Sequence, residues 1–274
     1  MERGKMKKII ALAAAGALVA ALALSGCSSS SSESSSSTTT TDADTSAAYT
    51  LVKDGMLTVG TSPDYPPFEN LEDGEIVGFE PDLVNAIAEK LGLDVEFVQL
   101  DFDSIITAVD AGTQIDVGMS GFSITPERAK IIDFSDSFYV DNIAVATKIE
   151  GKYTTEESLE TAGIKIAVQS GTTGESMMKE NYPDAEIVSY KNSNDCFAAL
   201  EADRVDAVCT NDAVVKSMVS GSYTDAAIIK TIATGEEYGV VVNKNNTALT
   251  AAINDAIAEL EADGTIDSLL TKWF

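Results

Sequence analysis

The fold is decided by two stretches that can be laid over each other, Ala108-Val-Asp-Ala-Gly-Thr-Gln-Ile-Asp-Val-Gly-Met-Ser120 and Ala199-Leu-Glu-Ala-Asp-Arg-Val-Asp-Ala-Val-Cys-Thr210. With one residue of slack, each reads as a helix end, a turn, an apolar residue, an aspartate, a strand and a small hydroxyl residue. The aspartates are Asp116 and Asp206. Because the elements around both stretches also follow the same order, the pattern predicts two lobes of one architecture.

Strand and helix patterns alternate through both halves. The predicted strands are 57–61, 94–99, 115–119, 164–168, 186–190, 205–209 and 238–242. The predicted helices are 81–91, 103–111, 174–180, 193–202 and 248–262, followed by a final apolar face over 266–274. This alternation predicts an α/β fold in which each lobe is a mostly parallel sheet flanked by helices. Ligands of such sheets bind beyond the carboxyl ends of the strands, so two facing lobes predict a ligand-binding cleft.

The charge and the residue types exclude several classes of function. The chain has 44 acidic and 18 basic residues, a formal net charge of −26, and no histidine. So negative a chain is not expected to bind nucleic acid. The absence of histidine excludes Ser-His-Asp and Cys-His catalysis and the His-Glu-x-x-His metal motif. We therefore expect no catalytic residue, no metal and no cofactor.

The N-terminus is typical of an exported protein. Basic residues precede an apolar run, Ile9 to Leu24, that ends in Leu24-Ser-Gly-Cys27. This pattern predicts a signal peptide over residues 1–26. The last four residues resemble the lipobox of bacterial lipoproteins, which implies that Cys27 becomes a lipidated N-terminus. An uncleaved membrane anchor is the alternative, although the apolar run is shorter than the roughly 20 residues that span a bilayer.

The predicted lipidated cysteine is followed by a linker that reaches residue 48. Ser and Thr dominate it, so it has little apolar surface to bury and is predicted to be a flexible tether. Two further cysteines follow in the folded part, Cys196 on a predicted helix and Cys209 on a predicted strand. An exported protein can form a disulfide, and two buried free thiols are the alternative.

Seven motifs, in this order, resemble the bacterial extracellular solute-binding proteins of the amino-acid class, family 3, which are receptors of ABC importers. The motifs are Val59–Glu69, Gly78–Leu83, Met119–Arg128, Asp133–Asp136, Gln169–Glu175, Asp206–Val208 and Lys272–Phe274. The resemblance covers residues 55–274. It implies two α/β lobes joined by two hinge strands, with lobe 1 formed by 50–142 plus 237–274 and lobe 2 by 143–236.

The resemblance also implies the partners and the location of the protein. The ligand would be an amino acid held in the cleft between the lobes, and the complex would deliver it to an ABC permease in the membrane. The protein would be a monomer outside the cytoplasm, attached to the bacterial cell membrane by the lipid on Cys27.

The α-carboxylate of an amino acid needs a planar donor pair, and an arginine supplies this better than a lysine. Arg128 lies in a turn just beyond a predicted strand, where a cleft residue is expected. The resemblance implies further N–H donors from Ser123, Thr172 and Thr173. The two threonines lead into a predicted helix, whose N-terminus favours an anion.

The α-ammonium group needs acceptors, for which the resemblance implies the carbonyl of Gly121, the hydroxyl of Ser123 and an acid from lobe 2. The family usually has aspartate where Asn211 stands, and here the acid follows one residue later as Asp212. Either Asn211 accepts a weaker bond or the backbone presents Asp212. A ligand that is not an ordinary α-amino acid is a third possibility.

Side-chain specificity is assigned by the resemblance to a further set of cleft residues. The apolar walls are Tyr65 and Phe102, while Phe68 is either a third wall or a core residue. The polar contacts are Ser62, Ser120, Gln169 and Thr210. Ser62 stands where relatives that bind basic ligands often carry aspartate. Because these candidates include no charged residue besides Arg128 and Asp212, we predict a neutral or polar amino acid as the ligand.

Three other functions are compatible with parts of this pattern. Dehydratases of the cyclohexadienyl type resemble these proteins, but without histidine such an enzyme would need Asp or Glu as its acid. A sensor module would be followed by a transmembrane or kinase segment, and we expect none after Phe274. A peptidoglycan-active lipoprotein would need a second catalytic domain. We expect a receptor that is not an enzyme and that closes on its ligand.

Overall fold

The computed structural model describes residues 49–274. The predicted signal peptide, the lipid attachment at Cys27 and the linker up to residue 48 lie outside the described residues. Over the range 49–274, no helix is both long enough and apolar enough to cross a bilayer.

The described chain contains thirteen strands and seven α-helices, and two single turns of 3-10 helix at Arg128–Lys130 and Glu156–Glu160. The strands are β1 (Met56–Thr61), β2 (Asp64–Tyr65), β3 (Glu69–Glu72), β4 (Glu75–Val77), β5 (Asp94–Gln99), β6 (Val117–Gly118), β7 (Asp133–Phe134), β8 (Tyr139–Lys148), β9 (Lys165–Gln169), β10 (Glu186–Tyr190), β11 (Ala207–Asn211), β12 (Ala226–Tyr238) and β13 (Val241–Val242). The helices are α1 (Phe79–Leu91), α2 (Phe102–Ala111), α3 (Thr173–Asn181), α4 (Ser193–Glu201), α5 (Asp212–Ser220), α6 (Thr247–Ala262) and α7 (Thr265–Trp273).

These elements form two lobes, each built on a five-stranded sheet. Lobe 1 has the strand order β5-β1-β6-β13-β7 and carries α1, α2, α6 and α7. Lobe 2 has the order β10-β9-β11-β8-β12 and carries α3, α4 and α5. In both sheets the first three strands are parallel and the last two are antiparallel to their neighbours. The predicted two-lobed α/β architecture is confirmed.

Two long strands, β8 and β12, connect the lobes. They pair antiparallel from Tyr139 opposite Tyr238 at the lobe 1 end to Lys148 opposite Ala226 at the lobe 2 end. The register is irregular between Ile232 and Glu236. The predicted lobe boundaries fall inside this ladder and stay predictions. Sequence patterns missed both strands because neither shows a clean alternation of apolar and polar residues.

Several other elements differ from their predicted bounds. The strand predicted over 115–119 is reduced to β6, and the one predicted over 238–242 is divided between the end of β12 and β13. Helix α1 begins at Phe79 rather than residue 81, and it ends as predicted before Gly92, whose backbone is left-handed. Helix α5 and the small sheet of β2, β3 and β4 were not predicted.

Asp116 and Asp206, the aspartates of the repeated stretches, perform the same task in the two lobes. Asp116 accepts hydrogen bonds from the backbone N–H of Thr58 (2.8 Å) and from Val52 (2.6 Å). Asp206 accepts one from the N–H of Lys165 (2.8 Å). Each aspartate therefore anchors a central parallel strand of its lobe, β1 or β9, so the repeat is structural.

Buried aromatic side chains pack where the hinge strands enter lobe 1. Phe68 is fully buried, and its ring lies 5.1 Å from that of Tyr139, 5.2 Å from Tyr238 and 5.3 Å from Phe274 between centroids. Phe68 is thus a core residue rather than a wall of the cleft. By packing on both hinge strands, it fixes the point where the lobes turn.

The two cysteines of the folded part are free thiols. Cys196 lies on α4 and Cys209 on β11, as predicted, and both are buried. Burial raises the pKa of each thiol well above its usual range. Neither is therefore a reactive thiolate.

Candidate ligand-binding cleft

The carboxyl ends of parallel strands from both lobes meet at the cleft. Ser62 follows β1, and the segment from Ser120 to Ser123 follows β6. From lobe 2, Gln169 ends β9 and Asn211 ends β11, while Thr172 and Thr173 open α3. The structure thus brings these predicted residues from both lobes to the same cleft, whereas the side chain of Asp212 points away from it.

Arg128 reaches across the cleft from lobe 1. Its Nη1 donates to the carbonyl of Ser123 (2.8 Å), and its Nη2 donates to the carbonyl of Gly171 in lobe 2 (3.0 Å). The guanidinium carbon lies 5.5 Å from the ring centroid of Phe102 and 5.4 Å from that of Phe122. Burial lowers the pKa of Arg128, and an arginine still remains charged at neutral pH.

The ion pairs formed by residues 49–274 do not include Arg128. Two of its five N–H groups donate to protein carbonyls, which carry no formal charge. The guanidinium is half-buried and has no ion pair within the described residues, although the charge of Glu236 raises its pKa against the effect of burial. The arrangement suits the binding of an anion.

The lobe 2 side of this anion position is the start of α3. Thr172 is the N-cap: its hydroxyl accepts a hydrogen bond from the N–H of Glu175 (3.1 Å) and donates to the carbonyl of Gln169 (2.8 Å). Thr173 is the first residue of the helix, and its hydroxyl points into the cleft toward Glu236. Thr172 and Thr173 therefore offer an anion their backbone N–H groups, because the hydroxyl of Thr172 donates to Gln169 and that of Thr173 to Glu236.

Glu236 is a residue of the cleft that the sequence analysis missed. It lies on β12, and its Oε2 accepts hydrogen bonds from Ser123 Oγ (2.6 Å), Thr173 Oγ1 (2.9 Å) and Asn211 Nδ2 (3.2 Å). No motif marked it, because it stands in Gly235-Glu-Glu-Tyr238 among many acidic residues that read as a solvated exterior. Only the pairing of β12 with β8 brings it to the cleft.

Asn211 and Asp212 point in different directions. The amide oxygen of Asn211 accepts a hydrogen bond from the hydroxyl of Tyr65, and its amide nitrogen donates to Glu236. The carboxylate of Asp212 instead pairs with Lys216 (2.5 Å) and accepts from Thr231 Oγ1 (3.2 Å). Of the two alternatives, Asn211 is the residue that joins the cluster near Arg128.

A second acid, Asp64, lies at the other end of the cleft. It is 2% exposed and accepts hydrogen bonds from Ser62 Oγ (2.8 Å), from Gln169 Nε2 (3.3 Å) and from the N–H of Ser193 at the start of α4. Burial raises its pKa. Two acids that the sequence analysis did not consider, Asp64 and Glu236, therefore form hydrogen bonds with predicted contact residues.

Tyr65 of lobe 1 contacts lobe 2 through its hydroxyl. Its hydroxyl lies 2.8 Å from Thr210 Oγ1, and its ring is buried beside Gly121. A methyl group added at Gly121 would stand 3.0 Å from the ring, so glycine permits the close approach. The backbone at Gly121 has φ +60°, which also favours glycine.

Ser120 and the N–H of Gly121 are held by hydrogen bonds within lobe 1. Ser120 Oγ accepts a hydrogen bond from the N–H of Ser62 (3.1 Å) and donates to Glu69 Oε1 (2.7 Å). The N–H of Gly121 donates to the carboxylate of Glu80 (3.0 Å). Ser120 thus supports the loop, and the Gly121 N–H is not free for a ligand.

The hydroxyl of Tyr238 is buried in the same region. Within the described residues it has no hydrogen-bond partner. A Cβ at Gly121 would lie 3.6 Å from its ring, which places the ring beside the loop that precedes Arg128. Buried hydroxyls are usually hydrogen-bonded, so this group is available to a bound molecule.

The comparison of the sequence with known families and proteins agrees with this geometry. The sequence profile of the bacterial extracellular solute-binding proteins, family 3, matches residues 57–274. The arginine-binding extracellular protein ArtP of Bacillus subtilis (strain 168) is 33% identical over 221 residues, which cover 80% of this chain and 86% of the relative. The L-cystine-binding protein TcyJ of Escherichia coli (strain K12) is 29% identical over 233 residues, covering 85% and 87%.

Solved structures share the fold. An ancestral arginine-binding protein bound to arginine has a TM-score of 0.76 and 39% identity, covering 80% of this chain and 98% of the other. The same TM-score and identity are found for its complex with glutamine. The ancestral amino acid-binding protein AncCDT-1, a precursor of cyclohexadienyl dehydratase, has a TM-score of 0.75 and 35% identity, covering 80% and 96%.

Proposed function

The chain belongs to the bacterial extracellular solute-binding proteins, family 3, and we propose that it is the receptor of an ABC importer that binds an amino acid in the cleft and delivers it to the permease. The observation that supports this proposal is Arg128, a half-buried cation at the junction of the lobes whose guanidinium donates hydrogen bonds to two neutral carbonyls. The α-carboxylate of the ligand would bind there, assisted by Thr173 at the start of α3.

Ligand binding would then close the lobes. Arg128 belongs to lobe 1 and Thr173 to lobe 2, so a carboxylate that contacts both stabilises the closed form more than the open one. A ligand shifts a conformational equilibrium only through such a difference in affinity. The other predicted contacts of the ligand in this proposal are Ser62, Tyr65, Phe102, Ser120, Gly121, Ser123, Gln169, Thr172, Thr210 and Asn211. Asp212 is left out, because its carboxylate is engaged by Lys216 and Thr231.

The side chain of the ligand would lie toward Asp64. The sequence predicted a neutral or polar amino acid, because no acid was recognised in the part of the cleft that would contact the side chain of the ligand. Asp64 accepts hydrogen bonds from Ser62 and Gln169, two of the predicted contacts. We therefore propose a ligand whose side chain donates hydrogen bonds, either a neutral polar side chain or a cationic one.

The location follows from the family and from the predicted N-terminus together. Members of the family act outside the cytoplasm. We propose in addition that the chain is anchored to the bacterial cell membrane through a lipid on Cys27 and that it works as a monomer. Metabolic labelling with a radioactive fatty acid tests the anchor, since a Cys27→Ser variant would lose the label if the assignment is right.

An enzyme on this fold is the second candidate. Glu236 places a carboxylate beside the proposed anion site, and the similar structure AncCDT-1 is a precursor of a dehydratase. Mass spectrometry of the ligand recovered after prolonged incubation with the protein separates the two functions. A receptor returns the ligand with its mass unchanged, whereas loss of water or carbon dioxide would establish an enzyme.

Thermal melting of residues 28–274 against the L-amino acids, cystine and ornithine tests the proposed function. A ligand at 100 times its Kd adds about 2.7 kcal/mol to the free energy of unfolding, which raises the melting temperature measurably. We expect a shift with one chemical group of amino acids, and we expect Arg128→Ala to abolish it without changing the melting temperature of the ligand-free protein. Arg204→Ala, at an exposed site on lobe 2, is the matched control.

Two results would contradict the proposal. An unchanged affinity of the Arg128→Ala variant would remove Arg128 from the site. The absence of a shift with every amino acid tested would argue against an amino-acid receptor and favour the second candidate.

A further inference from the structure

Glu236 lies where lobe 1, lobe 2 and a hinge strand meet. Its three hydrogen-bond partners are Ser123 from lobe 1 and Thr173 and Asn211 from lobe 2, and all three donate to the same oxygen, Oε2. A carboxylate has room for about four hydrogen bonds. The cluster therefore holds the carboxylate firmly and leaves part of its acceptor capacity free.

Asn211 offers a ligand ammonium only a neutral acceptor that is already partly used. Its amide oxygen receives the hydroxyl of Tyr65, and its amide nitrogen is directed at Glu236. The neighbouring Asp212 is engaged by Lys216 and Thr231. Glu236, in contrast, faces the cluster and forms no salt bridge within the described residues, although its charge also acts on Arg128.

We propose that Glu236 binds the ammonium group of the ligand and that Asn211 is the residue that positions it. This inference rests on the proposed amino-acid receptor. Ser123 connects the two ends of the ligand site, because its carbonyl accepts from Arg128 while its hydroxyl donates to Glu236. The α-carboxylate and the α-ammonium of an amino acid are separated by one carbon, so neighbouring anion and cation sites fit such a ligand.

The pair of residues also explains why position 211 is an asparagine. With aspartate there, two carboxylates would face each other at the 3.2 Å that now separates Asn211 Nδ2 from Glu236 Oε2. Like charges at this distance repel strongly and one of them would take up a proton. Asn211 together with Glu236 therefore provides one negative charge. An aspartate at position 211 would provide the same charge if position 236 were not a glutamate.

A different role for Glu236 would be to imitate the carboxylate of the ligand. Such an imitation would pair with the guanidinium of Arg128. Instead Arg128 donates to the carbonyls of Ser123 and Gly171, and Glu236 bonds to hydroxyl and amide groups. The geometry favours the ammonium role.

The position of Glu236 on the hinge would couple ammonium binding to closure. It follows the irregular register between Ile232 and Glu236 in the ladder of β8 and β12. A ligand ammonium on Glu236 would add a contact at this hinge.

Calorimetric titration of four proteins tests the proposal: the wild type, Glu236→Gln, Asn211→Asp and the double variant. The probes are L-arginine and L-glutamine, and their analogues without the α-ammonium, 5-guanidinopentanoic acid and glutaramic acid. Glu237→Gln is the matched control, because Glu237 is the exposed neighbour on the same strand. Melting of each ligand-free variant confirms that it is folded.

We expect Glu236→Gln to weaken the binding of the amino acid by about tenfold or more, since a charge-assisted hydrogen bond becomes a neutral one. Binding of the analogue should change little. Asn211→Asp alone should also weaken binding of the amino acid, and the double variant should recover most of the affinity, because the single negative charge is restored.

Tighter binding by Glu236→Gln would overturn the proposal and establish Glu236 as an internal competitor. Equal losses for the amino acid and its analogue, or a double variant weaker than both single variants, would also overturn it. If the wild type bound none of the four probes or any other amino acid, the proposed function itself would fall, which is a different outcome from loss in the variants alone.

Discussion

Gly171 is the residue that shows how closely the lobes approach each other. Its carbonyl accepts from Arg128 of lobe 1, its N–H donates to Glu175, and its backbone is left-handed with φ +81°. A methyl group added here would stand 2.9 Å from the Cβ of Asp103 in lobe 1. That distance is shorter than the roughly 3.5 to 4.0 Å of a favourable carbon contact. The observed approach of the two lobes therefore requires a glycine at this position.

We predict that Gly171→Ala weakens ligand binding by about tenfold, the effect of roughly 1.4 kcal/mol, because the methyl group obstructs the closed form but not the open one. Gly163→Ala is the control: Gly163 is also left-handed (φ +76°) on lobe 2, but nothing lies within 4 Å of an added methyl group. Both variants carry the same backbone strain, about 1 to 2 kcal/mol. Calorimetric titration should show the affinity loss in Gly171→Ala, and an equal loss in both variants would contradict the argument.

At the scale of elements, a pair of buried carboxyl groups joins β3 and α1 beneath the cleft. Glu69 and Glu80 are at most 1% exposed, and Glu69 Oε2 has no donor partner within the described residues. Burial raises the pKa of Glu80 to about 7, and burial together with the charge of Glu80 raises that of Glu69 well above its usual range. The two groups therefore share a proton. Glu80 in turn holds the N–H of Gly121.

This pair predicts that stability falls as the pH rises toward neutrality. A carboxyl whose pKa is higher in the folded state binds its proton more tightly there, so its contribution is complete below the unfolded pKa of about 4.3 and is lost as the pH passes its folded value. We expect the melting temperature to fall between about pH 5 and pH 7.5. Burial also raises the pKa of Asp64, and it raises that of Asp141 to about 6. Both shifts likewise lower the stability as the pH rises.

Glu80→Gln should reduce this slope, because an amide cannot titrate and its oxygen can still accept from Gly121. The exposed Glu75→Gln on β4 is the control and should keep the slope of the wild type. Thermal melts across this pH range measure both. Identical slopes in wild type and Glu80→Gln would show that Glu80 does not hold the proton.

At the scale of the whole molecule, contacts across the cleft hold the two lobes together. Asp103 of lobe 1 accepts a hydrogen bond from Ser170 Oγ (3.0 Å) and pairs with Lys191 Nζ (2.5 Å), both of lobe 2. Tyr65 and Arg128 add the contacts described above. In the proposed closure, opening of the lobes would break these bonds, so they would favour the closed form without ligand.

We predict that Asp103→Asn lowers the ligand affinity by no more than about fivefold, since partly exposed ion pairs contribute about 0 to 1 kcal/mol. The effect should disappear at high salt, which screens the pair. Glu96→Gln is the control, because it removes the same charge from an ion pair with Lys53 that lies inside lobe 1. Calorimetry at low and high salt, with X-ray scattering of the ligand-free protein, checks this. An equal effect of Glu96→Gln would mean that only net charge matters.

The sequence by itself determined most of the elements and the residue types of the anion site. Helices α1, α2, α4 and α6 were predicted within two residues because their apolar period and their capping residues act over a few positions. Asp116 and Asp206 were identified as equivalent for the same local reason. Arg128 could be found because its chemistry suits a carboxylate and its turn follows a strand.

Only the tertiary structure decided the acids of the cleft and the elements that connect the lobes. Asp64 meets Ser193, 129 residues away in the chain, and Ser123 meets Glu236 at a separation of 113. Such contacts leave no local period, and an acid in a chain with 44 acidic residues does not stand out. Likewise, only the structure shows that Asn211, at the end of β11, contacts Tyr65 and that Asp212 does not. Local patterns specify elements, while long-range packing specifies which charges meet.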